Sequence, residues 1–167
     1  ASGYVTARRA ATVSSKVTGK VTEIVIEEGV EVKTGQLLAK LDDSNVRAGF
    51  RLAEAQLESA RSALHETRSN LELAEKELVR FKSLVASQAG NQADLDRADA
   101  QVKALNARLR RQNAEIGIAE ADVAQWKQQV DDTVISAPFD GVVISKNAQP
   151  GEMISPMSVG GFTRTGI

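Results

Sequence analysis

VSSKVTGKVTEIVIEEGVEV at residues 13–32 and ISAPFDGVVISKNAQPGEMI at residues 135–154 decide the fold. Laid over one another without gaps, Gly19 falls on Gly141, Val21 on Val143, Gly29 on Gly151 and Val32 on Ile154. Glycines in fixed register among β-branched residues read as short strands broken by turns. The chain thus carries one β-motif twice, with a long insertion between the copies.

The insertion has a different pattern. Residues 46–130 contain no proline and are dominated by Ala, Glu, Leu, Gln and Arg, the composition of a long helix or coiled coil. Spacing of three and four selects Phe50, Ala53, Leu57, Ala60, Leu64, Thr67, Leu71, Ala74, Leu78, Phe81 and Val85 in its first half. In the second half it selects Leu95, Ala98, Val102, Leu105, Leu109, Gln112, Ile116, Ala119, Val123, Trp126 and Val130. Each run keeps an unbroken heptad spacing with a single polar member. Folded back antiparallel, the runs fit each other: Val85 faces Leu95, Leu78 faces Val102 and Leu57 faces Val123. The bulky Trp126 is expected opposite the small Ala53. The polar members Thr67 and Gln112 are expected to face each other, share a hydrogen bond and fix the register. Two helices seeking other partners have no reason to match in this way.

The turn is placed at about 88–92. Gly90 suits the left-handed position past a helix end, Asn91 is a strong N-cap, and Asp94 can answer it as a short capping box. A helix of about 44 residues is about 65 Å long.

Charge and composition exclude several classes. With 21 basic and 22 acidic residues there is no electrostatic case for nucleic acid, and Arg8, Arg9 and the Arg108/Arg110/Arg111 cluster are too few to make one. Aromatic residues at 4% argue against base-stacking platforms and against a large globular core. The absence of cysteine removes disulfides, thiolate metal sites and a Cys nucleophile. No apolar run has the roughly 18 residues that a membrane span needs, and no signal peptide is visible, so any anchor is expected outside this sequence.

Candidates for chemistry are weak. His65, the only histidine, lies on a polar face, and Met153 and Met157 are the only methionines, so no metal cluster is expected. Asp42 and Asp43 read as helix-start residues, and Asp131 and Asp132 as breakers before the return strand. Gly160–Gly161 is followed by no helix pattern and is no phosphate loop. No catalytic residue and no cofactor are predicted.

The half repeats resemble the biotinyl/lipoyl fold. LLAKLDDSNV at 37–46 lies on the carrier segment of that fold, and Asn45 falls where carriers place the modified lysine. An amide cannot take lipoate or biotin through an amine, and Lys16, Lys40 and Lys146 do not fall at the acceptor turn. The helical insertion starts there instead. A split lipoyl domain with a helical hairpin at that turn resembles the HlyD/MacA/AcrA-type membrane fusion family, and VISAPFDGVV at 134–143 resembles its return strand. The family's tip carries an Arg, a Leu four residues later and a Ser seven after that. Arg80 and Leu84 match, whereas Asn91 stands at the Ser position.

The resemblance implies an α+β chain: a split biotinyl/lipoyl-like β-sandwich interrupted by an antiparallel two-helix hairpin. The expected boundaries are 1–11 for a barrel strand or linker, 12–43 and 133–159 for the lipoyl-like halves, 44–132 for the hairpin and 160–167 for the start of a barrel. Gly19, Gly29, Gly141 and Gly151 would make the turns of the halves. The implied function is a periplasmic adaptor tethered to the inner membrane, with a tip of Arg80, Leu84, Gly90 and Asn91. Its implied partners are a TolC-like outer-membrane channel, an inner-membrane ABC or RND transporter, and further copies of itself as a trimer or hexamer. Alternatives are a carrier domain with an insertion, or a coiled-coil scaffold unrelated to transport.

Overall fold

The computed structural model describes residues 10–156 and 163–166. Expectations that fall on Gly3–Arg8, Arg9, Met157, Gly160–Gly161 and Phe162 lie outside the described residues. The described residues form eight strands and two helices: β1 Ala10–Val13, β2 Gly19–Ile24, β3 Glu31–Val32, β4 Leu37–Leu41, α1 Ser44–Ala86, α2 Gln92–Asp131, β5 Val134–Ser136, β6 Gly141–Lys146, β7 Met153–Ile154 and β8 Thr163–Gly166. The chain divides at Phe50/Arg51 and Ala124/Gln125 into a β unit and a helical unit.

In the β unit the strands form two four-stranded sheets, ordered β1-β8-β6-β3 and β5-β4-β2-β7. Each sheet takes strands from both copies of the repeat, and it does so symmetrically. Val32 pairs with Gly141 and Glu31 with Val142 in one sheet; Ile154 pairs with Gly19 and Met153 with Lys20 in the other. The turns obey the same exchange: the Gly29 amide donates to the Val143 carbonyl and the Gly151 amide to the Val21 carbonyl, both at 2.8 Å. Gly29 and Gly151 have φ of 83° and 90°, where a Cβ is strained. The repeat is therefore a pair of interlocked halves, each supplying a short strand to the other.

Alternation along the strands builds one core. Val21 on β2 and Val143 on β6 point inward between exposed neighbours, and Leu38, Leu41, Val32, Ile26 and Ile135 close around them. Full burial of a Val or Leu side chain contributes about 1.5–3 kcal/mol. Polar ties also cross between the halves. The Asp140 carboxylate accepts from the Thr34 amide at 2.6 Å and the Thr34 hydroxyl at 2.9 Å. Glu28 accepts from the Lys146 amide at 2.8 Å. The resemblance assigned the residues around β1 and β8 to a neighbouring barrel. Here β1 pairs with β8, and β8 with β6, which satisfies the row of backbone groups along the free edge of β6.

The helix ends in this unit are fixed by their side chains. Asp42 accepts from the Ser44 amide and hydroxyl, and Asp43 from Arg47 at 2.6 Å. At the end of α2, Asp131 is the last helical residue rather than a breaker. Lys127 donates to Asp131, and Lys16 and Gln128 to Asp132, each at 3.0 Å, so cations offset acids that a helix C-terminus disfavours. The Trp126 ring lies over Gly49: a Cβ there would come within 2.5 Å of it. The indole is half-buried.

In the helical unit, the members of both heptad runs between Ala53 and Val123 are buried or half-buried. Ala53, Leu64, Thr67, Ala74 and Leu78 on α1 and Leu105 and Gln112 on α2 are the most enclosed. Thr67 and Gln112 do not bond each other in the expected way. The Thr67 hydroxyl donates to the Ala63 carbonyl of its own helix at 3.1 Å, and the Gln112 amide nitrogen donates to the same carbonyl at 3.3 Å. Thr67 satisfies itself locally, as threonine in a helix commonly does, and leaves the longer side chain to reach across.

Candidate functional site

The candidate partner site is the turn that joins the helices. α1 ends in a Schellman motif: the Ala89 amide donates to the Leu84 carbonyl at 2.9 Å and the Gln88 amide to the Val85 carbonyl at 3.0 Å. The residue in left-handed conformation is Gln88, with φ of 60°, and not Gly90. Gly90 is required for a different reason. A Cβ on it would lie 2.9 Å from the Leu84 backbone carbon, the Leu84 Cβ and the Val85 nitrogen. Glycine lets the returning chain cross against the last turn of α1. Serine supports that turn too, since the Ser87 hydroxyl donates to the Leu84 carbonyl at 3.0 Å and the Ser83 hydroxyl to the Arg80 carbonyl at 2.8 Å.

α2 starts on Asn91. Its side-chain oxygen accepts from the Ala93 amide at 3.1 Å, and its carbonyl from the Asp94 and Leu95 amides. Asp94 does not complete a capping box; its carboxylate takes a bond from Arg97 at 3.1 Å. A one-carbon-shorter acid than Glu reaches forward to an arginine more readily than back to the cap.

Arg80 and Leu84 stand one turn apart on α1, both exposed, Leu84 at 37%. Among the described residues Arg80 has no ion pair. The guanidinium is thus free to bond a carbonyl or carboxylate of another molecule. Val79 beside it is 67% exposed, an apolar neighbour that the seam pattern passed over. Its exposure follows from a position well off the seam, where it lines a shallow groove with Glu72, Glu75 and Lys76. The remaining sequence candidates do not gather. Asn45 is exposed in the first turn of α1, where the helix replaces a carrier's lysine turn. His65 is exposed on α1. Among the described residues no three His, Cys, Asp or Glu side chains group to hold a metal ion, and no helix is long and apolar enough to cross a membrane.

Interlocked half-sandwiches interrupted by a two-helix hairpin define the barrel-sandwich hybrid class. Residues 9–159 match the family described as "CzcB-like, barrel-sandwich hybrid domain", and the chain belongs to it. It is 31% identical over 154 residues to the macrolide export protein MacA of Yersinia pestis, covering 92% of this chain and 42% of that protein. It is 33% identical over 153 residues to the multidrug resistance protein MdtA of Escherichia coli, covering 92% of this chain and 34% of that protein. The chain therefore spans less than half the length of these curated relatives. Its fold is that of the crystal structure of MacA from Actinobacillus actinomycetemcomitans, with a TM-score of 0.81 at 23% identity over 95% of this chain and 51% of the other. The periplasmic adaptor protein EmrA shares the fold at a TM-score of 0.55 and 19% identity, over 97% of this chain and 73% of the other.

Proposed function

We propose that this chain is the barrel-sandwich and hairpin part of a periplasmic adaptor in a tripartite efflux pump. In this reading the hairpin turn docks on a TolC-like outer-membrane channel. The rest of the protein engages an inner-membrane ABC or RND transporter, to which the adaptor is tethered. Copies of the chain form a ring around the export path. The chain serves by contact, and the transporter supplies energy and chemistry.

The observation that carries the reading is the tip itself. A long helix ends in a rigid Schellman turn that holds an exposed Leu84 one turn from an unpaired Arg80. A helix of 43 residues sets its two ends about 65 Å apart, so α1 can span a gap. An exposed leucine beside an arginine suits helix-against-helix docking, the leucine entering a groove and the arginine bonding a carbonyl or carboxylate at its rim.

The test is export in cells carrying the full-length protein. Leu84→Asp and Arg80→Asp should each abolish export while the thermal melt of the hairpin stays within a few degrees. Normal export by both, or unfolding of both, would sink tip docking. Asn91→Ser keeps a good N-cap, so stability should hold and channel binding should stay or improve. A loss of binding would mean that recognition depends on the asparagine itself.

A further inference from the structure

One carbonyl in the middle of the hairpin has more donors than it can hold, and an acceptor in the same layer has none. The Ala63 oxygen takes the Thr67 hydroxyl at 3.1 Å and the Gln112 amide nitrogen at 3.3 Å. In the helix ladder it also faces the Thr67 backbone amide. A carbonyl oxygen has two lone pairs, so three donors compete for it. The Gln112 Oε1 is buried and meets no donor among the described residues. Water entering this layer relieves the crowded carbonyl and supplies the orphan. Opening it therefore costs less than opening an apolar layer.

The helices themselves are softened nearby. Among the described residues, the side chains in the interior of α1 and α2 that bond a carbonyl four residues back are Thr67, Ser69 and Asn106, on Ala63, His65 and Val102. Such bonds draw a carbonyl away from the helix axis and bend the helix. Gly117 lies within α2, and a Cβ there would meet nothing within 4 Å. Packing therefore does not ask for glycine, which is a weaker helix former than alanine.

These features share one level of the hairpin. The bond from Gln112 to the Ala63 carbonyl ties the two helices in height. Ser69 lies just past Thr67 on α1, while Asn106 and Gly117 flank Gln112 on α2. All of them fall within about 16 Å of an arm about 60 Å long. Away from that level the seam of α1 is apolar, with Ala53, Leu57 and Ala60 before it and Leu71, Ala74 and Leu78 beyond it.

We propose that the Thr67–Gln112 layer is a compliant joint in the arm, at which the half of the hairpin that carries the turn bends relative to the half that precedes it. Bending opens the polar layer to water, and the apolar runs on either side stay zipped and keep the register. The turn lies about 28 Å from the layer, so a tilt of about 10° moves it sideways by about 5 Å, half the diameter of a helix. That this movement helps the turn meet a partner rests on the reading above; the joint itself does not.

Distance distributions across the layer test it. The chain has no cysteine, so Glu54→Cys and Lys82→Cys, both at exposed positions of α1, place two unique spin labels on it. Along a straight helix the labels stand about 42 Å apart. In the otherwise native chain their distance should spread at least twice as widely as when Thr67→Val, Gln112→Leu and Gly117→Ala are added together. Amide exchange should show a minimum of protection at residues 63–69 and 110–117, at least tenfold below that at 74–78, and the triple variant should erase it. Gly117→Ala alone leaves the polar pair in place and should narrow the spread in part. A narrow distance in the native chain would overturn the joint, as would protection that falls evenly toward the turn or a spread that the substitutions leave unchanged. Leu84→Asp should move neither readout, so a failure of docking at the turn and a failure of the joint are told apart.

Discussion

Thr67 and Gln112, on facing helices, donate to one and the same acceptor, the carbonyl oxygen of Ala63, at 3.1 and 3.3 Å. Both side chains are almost fully buried. The arrangement uses the two donors but leaves the other end of the Gln112 amide, its Oε1, buried without a partner among the described residues. An orphaned buried acceptor costs about 1–3 kcal/mol, against about 0.5–1.5 kcal/mol gained from a bond made. Gln112→Leu should therefore raise stability by about 1 kcal/mol in denaturant melts, although it removes the only hydrogen bond of the pair that crosses the seam. A loss of more than about 1 kcal/mol would mean that the crossing bond outweighs the orphan.

Gly29 and Gly151 are equivalent turns, and an added methyl at either meets nothing within 4 Å. Only backbone strain opposes alanine there, about 1–2 kcal/mol for a left-handed residue. Gly29→Ala and Gly151→Ala should lower stability by that amount, nearly equally, in urea titrations. The double variant should lose the sum unless the two turns, each bonded to the other half, are coupled.

Gly49→Ala places a methyl into the ring of Trp126, the single tryptophan of the chain. Overpacking costs about 1–3 kcal/mol, partly offset by the roughly 1 kcal/mol that alanine gains over glycine in a helix. The half-buried ring relieves the clash by swinging outward. The expected outcome is a red-shifted tryptophan emission with a net loss of about 1 kcal/mol. An unshifted spectrum would mean that the helix backbone moves instead.

Acid should loosen the joint between the halves. The amide and hydroxyl of Thr34 hold the Asp140 carboxyl below the ordinary aspartate value of 3.8, and Ser44 does the same for Asp42. A depressed folded pKa means that the unfolded chain takes up the proton first. The stabilisation is therefore complete above the ordinary value and disappears as pH falls through the lower, folded one. Denaturation midpoints measured from about pH 6 down to about pH 3 should drop, and Asp140→Asn should flatten part of that drop.

Much of the fold is legible in the sequence because its signals are local or periodic. Gly29 and Gly151 mark their turns by residue type, and the heptad runs mark the seam. Partners that meet only in space leave no such mark. The exchange of β3 and β7 between the halves joins residues such as Val32 and Gly141, whose own patterns say only that each is a short strand. The tip shows the same limit at closer range. Gly90 draws attention as the residue able to take a left-handed φ, yet Gln88 takes it, because the helix ends at Ala86 and the left-handed position follows from that end. Glycine at 90 answers a steric demand from Leu84 that no turn statistic contains. The ring of Trp126 likewise lies over Gly49, a neighbour that the seam pattern does not name.

The exchanged strands also impose an order on events as the chain is born. Neither sheet of the β unit can close until Met153 and Ile154 have left the ribosome, since β7 completes the sheet begun by β2. By then both helices have emerged, and a hairpin whose contacts run between neighbours in a growing zipper forms fast, while strand pairs distant in sequence form slowly. A zipped hairpin brings the ends of α1 and α2 together, and the Leu41 amide bonds the Thr133 carbonyl at 2.9 Å just beyond them. It turns a very long loop closure into a short one, lowering the entropy that the late strands must overcome. The hairpin would then serve as its own domain's assembly jig before it serves as an arm, and a variant that slows its zipping would delay the β unit without touching a single β contact.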